Sequence, residues 1–195
     1  MAVTVGELVE SHPAIVPVLK GPARILWGKD IAREIPLPDI DHYTKDVIKL
    51  AVTCMAKLRQ VTQVASPLQY PDPTGDFYGY DASLGRRAAG AEQPLRGLVA
   101  TTSWITIAVV AVQAGKLCAS REEHQRLYRL ETDATWWELL ARLDKRCRRD
   151  WRYELPTEAE ERAELRDICG QALAFEWYAL RIFEDWPLGT SRPAD

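Results

Sequence analysis

The sequence predicts an all-α protein: a helical bundle of four to five main helices interrupted by one long Pro/Gly-rich loop. Three observations carry that expectation. Apolar residues recur at three- and four-residue steps over 39–61, 133–147 and 165–183. The prolines fall between these stretches and not inside them. Residues 95–115 are apolar nearly all round, as in a helix at the middle of a bundle.

Taken in order, 1–28 reads as short helical pieces broken at Pro13, Pro17 and Pro22. A connector follows to Pro38. The next helix starts at Asp39, and Val47, Leu50, Ala51, Cys54, Leu58 and Val61 form its apolar stripe. Residues 66–94 hold four prolines and four glycines and form the loop. Phe77, Tyr78 and Tyr80 within it point to a segment that packs on the domain. Leu95–Gly115 is too long for a typical strand, and Gly115-Lys116 is a natural helix stop. Ser120-Arg121-Glu122-Glu123 reads as a capping box: the serine hydroxyl accepts from the Glu123 N–H, and the Glu123 carboxylate reaches back to the serine N–H. Asp133 starts another helix with the stripe Trp136, Trp137, Leu140, Leu143 and Cys147. Thr157, with Glu160 as its box partner, caps the last one. Residues 188–195 form a frayed tail.

Composition excludes several classes. The chain has 195 residues, 47 % apolar and 27 % charged, which is ordinary globular usage. With 25 basic and 28 acidic side chains the net charge is −3, so no global basic field draws it to nucleic acid. The most apolar run, Ile105–Val112, is too short to cross a membrane, and no basic region followed by an apolar stretch opens the chain. The expected compartment is cytoplasmic. Cys54, Cys118, Cys147 and Cys169 form no CxxC pair, and His12, His42 and His124 lie at no ligand spacing, so no metal site is assigned. The cysteines read as small buried apolar residues, and the tryptophans at 136, 137, 177 and 186 as packing residues.

Three patterns touch on chemistry. Gly28-Lys29 followed by Asp39-Ile40-Asp41 approaches the Gly-Ser plus Asp-x-Asp pattern of nucleotidyltransferases, where paired carboxylates hold magnesium. Here lysine replaces serine and no apolar strand follows, so the pair reads as acidic residues at a helix N-terminus. His124 has no nucleophile beside it and reads as a surface helical histidine. Arg142, Lys145, Arg146, Arg148, Arg149 and Arg152 form a basic run. The acidic stretch Glu158–Glu164 is its expected counter-charge.

Two stretches carry a resemblance. The first is Glu10-Ser-His-Pro13, then Pro22-Ala-Arg-Ile-Leu-Trp-Gly-Lys-Asp30 and Ile35-Pro-Leu-Pro-Asp39. The second is Ala111-Val-Gln-Ala-Gly-Lys116, Ser120-Arg-Glu-Glu123, Arg126-Leu-Tyr128 and Leu173-Ala-Phe-Glu176. Together they resemble the C-terminal helical domain of bacterial nucleotidyltransferases of the aminoglycoside adenylyltransferase type. In that family an α/β catalytic core precedes a helical bundle, which helps bind the acceptor and closes the nucleotide cleft. The resemblance implies that 1–38 leads from a separate core, and that 39–187 is the substrate-binding bundle. It places Lys116, Arg121, Arg126 and Tyr128 at substrate-binding positions and no catalytic residue in this chain. Magnesium and ATP are implied for the complete enzyme, not for this chain. Its partners would be a separate core or another protein, together with a small-molecule acceptor. The alternative is a non-catalytic helical protein-interaction module.

Overall fold

The computed structural model describes residues 13–21, 35–59, 75–81 and 93–186. The Gly28-Lys29 pattern, the expected helix end at Val61, most of the 66–94 loop and the 188–195 tail lie outside the described residues. Those residues contain six α-helices and no strand. A short 3₁₀ turn, Pro13–Ile15, leads into α1 (Val16–Lys20). Then come α2 (Ile40–Leu58), α3 (Arg96–Ala114), α4 (Arg121–Glu131), α5 (Trp137–Arg142) and α6 (Ala159–Asp185). A π-helix, Leu143–Asp150, continues α5.

Local chemistry accounts for three of the helix ends. Asp39 caps α2, its Oδ1 accepting from the N–H groups of Asp41 (2.9 Å) and His42 (3.1 Å). α3 stops at Gly115, whose left-handed φ of 62° lets its N–H reach the Ala111 carbonyl at 3.1 Å. Ser120 caps α4 through the Glu123 N–H at 3.1 Å. The reciprocal bond runs from the Ala119 N–H, not that of Ser120, to Glu123 Oε2 at 2.6 Å.

Two expected starts move. Asp133 does not open α5: the chain first turns through Ala134 at φ 54°, while Asp133 Oδ1 accepts from the Thr135 N–H, so α5 begins at Trp137. Thr157 does not cap α6. Glu158 holds the cap position and makes no side-chain cap bond.

The core gathers around α3, which packs against α2, α4 and α6. By length and composition α3 is apolar enough to cross a membrane, contrary to the reading of Ile105–Val112 alone. In the fold it is mostly buried, and Thr102 and Thr106 return their hydroxyls to the Leu98 and Thr102 carbonyls. α2 presents Tyr43, Val47, Ala51, Met55 and Leu58 inward, with Leu50 and Cys54 only half-buried. Phe77 and Tyr80 are buried in the same core.

The deepest polar contact lies between α2, the 75–81 segment and α6. Glu176, 0 % exposed, accepts from the Tyr80 hydroxyl at 2.7 Å and pairs with Arg59 at 3.2 Å. The Arg59 guanidinium lies 4.5 Å from the Tyr80 ring centroid and also donates to the Tyr78 carbonyl. Removing one member strands a buried charge. Glu176→Ala is expected to lower stability by about 3–5 kcal/mol, and Tyr80→Phe by roughly 1–3 kcal/mol. Urea unfolding followed by far-UV circular dichroism measures both. Equal, sub-kilocalorie effects would refute the ranking.

Candidate functional site: an arginine cluster around Asp144

The basic run divides between two sets of partners. Arg142 pairs with Asp167 at 2.7 Å, and Arg146 with Asp150, Glu161 and Glu164 at 2.9, 3.3 and 2.7 Å. Glu161 and Glu164 belong to the acidic stretch at the start of α6 that the charge pattern named, whereas Asp167 lies further along α6 and Asp150 ends the π-helix itself. The carboxylates raise the Arg146 pKa further through hydrogen bonds from its guanidinium to Glu164 and Asp150.

Arg148 and Arg149 turn the other way, to Asp144. This side chain is 6 % exposed as a residue. Its Oδ1 accepts from Arg148 at 3.2 Å and lies 3.6 Å from Arg121, while Oδ2 accepts from Arg149. Burial pushes the Asp144 carboxyl up, but the hydrogen bonds from Arg148 and Arg149 outweigh it and hold the group below the usual range. The π-helix matters here. An i→i+5 repeat brings residue 149 beside residue 144, where residue 148 already sits by the ordinary i+4 spacing. The next two residues that leave it, Arg152 and Tyr153, have left-handed φ values of 51° and 69°. The Tyr153 carbonyl then accepts from the Leu95 N–H at 3.0 Å, tying the segment to the start of α3.

Arg121, first residue of α4, completes the cluster and donates to the Ser103 hydroxyl at 3.3 Å. Burial and then the neighbouring Arg148 charge lower its pKa, against Asp144 and Glu122. Three guanidiniums thus face one buried carboxylate. A carboxylate offers about four lone-pair sites and each guanidinium about five N–H donors, so donors are left over. Arg149, with 73 % of its side chain exposed, carries them to the surface, and Arg148 at 40 % does so in part.

Of the substrate-binding positions expected from sequence, only Arg121 is in this cluster. Lys116 is exposed in the connection after α3, and Arg126 is exposed on α4. Tyr128 is fully buried, its hydroxyl accepting from the Trp136 N–H at 3.3 Å and its ring meeting Phe175 edge-on. Sequence reasoning missed Asp144 and Ser103. The spacing of Asp144 to Arg148 and Arg149 was the available signal for the first; nothing in the sequence joined Ser103 to Arg121.

His124 corrects the surface reading. It is 4 % exposed, because α4 turns this face onto the fold. Burial first, then the charge of Arg121, depresses its pKa to about 4. Cys118, Cys147 and Cys169 are buried as expected, whereas Cys54 is half-buried. Burial pushes the thiols of Cys118 and Cys147 up to about 12. Among the described residues, no three His, Cys, Asp or Glu side chains come together in a way that could hold a metal ion. No family model matches the chain, and no curated protein or solved structure matches it.

The depressed His124 pKa sets a pH window. The unfolded histidine takes up its proton near its ordinary value of 6.5 and the folded one only near 4. Stability is therefore full above about pH 6.5 and falls as pH drops toward 4, by roughly 3 kcal/mol at most. Urea midpoints between pH 7 and pH 4 check this, and His124→Gln is expected to flatten the slope. An unchanged slope in that variant would assign the acid sensitivity elsewhere.

Proposed function

We propose that this chain is a substrate-binding helical domain of a nucleotidyltransferase of the aminoglycoside adenylyltransferase type. The observation that supports the reading is the convergence of Arg121, Arg148 and Arg149 on the single carboxylate of Asp144. Guanidinium forks match the oxygen geometry of phosphate, and surplus donors at a surface favour an anion. On this reading the cluster holds the phosphates of a nucleoside triphosphate while the acceptor binds nearby. Lys116 and Arg126 add positive charge at the surface, and buried Tyr128 acts by positioning Trp136. On this reading the magnesium-binding carboxylates and the general base for the acceptor hydroxyl would be supplied by the nucleotidyltransferase core.

The second reading is a non-catalytic interaction module. Exposed Ile15 and Val18, three residues apart, with exposed Leu37 and Leu130, favour it. Calorimetric titration with ATP and with pyrophosphate, at low ionic strength, separates the two. Saturable binding is expected, weakening with added salt and falling about ten-fold or more in Arg121→Gln or Arg149→Gln, from the loss of a charge-assisted hydrogen bond. Silence toward both ligands would overturn the phosphate reading in favour of the interaction module.

A further inference from the structure

Away from the Asp144 cluster, an open groove of about 520 Å³ lies along α6. Tyr78 and Trp136 line it, together with Ala163, Gly170 and Ala174 and the polar residues Arg166, Asp167 and Gln171. The α6 residues follow three- and four-residue steps, so they share one helix face. Small side chains at 163, 170 and 174 leave that face unfilled.

Both aromatic walls are held by contacts outside the groove. The Tyr78 carbonyl accepts from Arg59, with the Tyr78 backbone at φ 52°. A Cβ at Gly170 would lie 3.7 Å from the Tyr78 ring, an ordinary van der Waals distance, so the phenol lies directly over this face of the helix. The Trp136 backbone N–H donates to the Tyr128 hydroxyl, and the indole ring of Trp136 packs on Phe175 and Tyr178 at 5.7 and 5.9 Å between centroids. Walls already fixed in this way lose little freedom when a ligand enters.

The polar groups are unequal in number. Asp167 is already answered: its Oδ2 accepts from Arg142 at 2.7 Å and from Gln171 at 2.9 Å. Arg166 makes one backbone bond, from Nε to the Asp76 carbonyl at 3.3 Å, and its Nη2 stands 3.8 Å from the Asp76 carboxylate. Among the described residues its remaining guanidinium donors make no further hydrogen bond.

We propose that this groove binds a small aromatic carboxylate, its ring against Tyr78 and Trp136 and its carboxylate on Arg166. Two aromatic walls select a planar apolar body, and the spare N–H groups of the Arg166 guanidinium select an anionic acceptor. The volume suits a one- or two-ring acid. The inference is independent of the phosphate reading, because it shares no residue with the Arg121, Arg148 and Arg149 cluster.

Ligand-observed NMR titration of the full chain with benzoate, salicylate and indole-3-acetate, with benzamide as the neutral analogue, tests it. Saturable binding of the acids is expected, with benzamide at least ten-fold weaker. Arg166→Gln is expected to bring the acids down to the benzamide level without changing the helical spectrum. Gly170→Leu, which fills the groove, is expected to abolish binding of all four. If that variant loses helicity, Ala174→Leu at the exposed rim of the same face serves in its place. No binding by the acids, equal binding of acids and amide, or acid binding that survives Arg166→Gln would each overturn the proposal.

Discussion

Taking a guanidinium and a carboxylate out of water costs several kcal/mol for each ion, and the cost is recovered only when the two meet in good geometry with their remaining valences satisfied. Arg59 and Glu176 meet in this way, with side chains 4 % and 0 % exposed and 117 positions apart in the sequence. Tyr80, 96 residues from Glu176, supplies the second hydrogen bond. These contacts tie the end of α2, the 75–81 segment and α6 to one another. We read the triad as a constraint on geometry more than as a source of net stability. Much of the remaining structure follows from it. With 75–81 in place, Phe77 enters the core and Tyr78 reaches the α6 face. With α6 in place, Phe175 meets Tyr128 of α4 and Trp136 at the start of α5.

The arginine cluster depends on that placement at one remove. α4 brings Arg121 to Ser103 of α3, and α5 runs into the π-helix that carries Asp144, Arg148 and Arg149. A regular α-helix would rotate residue 149 away from residue 144. The wider turn keeps both arginines on the same carboxylate, at the cost of weaker helical geometry and two left-handed residues at its exit. Departures of this kind gather where a site needs them. The same segment also separates the basic run by role: Arg142 and Arg146 are answered by carboxylates of α6 and by Asp150, and Arg148 and Arg149 share Asp144.

Local features were legible in the residues. Ser120 with Glu123, Asp39 before α2 and Gly115 after α3 all act through partners within about four residues, so spacing alone reveals them. The failures have one cause. Asp133 and Thr157 are good cap residues by type, but Asp133 is spent on a turn and on the Tyr178 hydroxyl at 2.6 Å, and Glu158 takes the cap position before α6. His124 looked like a surface residue because its neighbours in sequence, Glu122, Glu123 and Arg126, are charged. Which face of α4 is covered depends on elements that pack from elsewhere.

By itself, then, the sequence determined an all-helical chain, several of its helix ends, the packing role of the aromatic residues near 77–80, and the pairing of Arg146 with the acidic start of α6. All of these rest on short-range hydrogen bonding, periodic apolar residues or nearby opposite charge. Only the tertiary structure decided which charges are buried, which arginines keep spare donors, and where an unfilled helix face lies between two aromatic rings. Those properties arise from contacts across tens to more than a hundred residues. Burial turns an ordinary carboxylate or imidazole into a strongly perturbed one only after those contacts have excluded water.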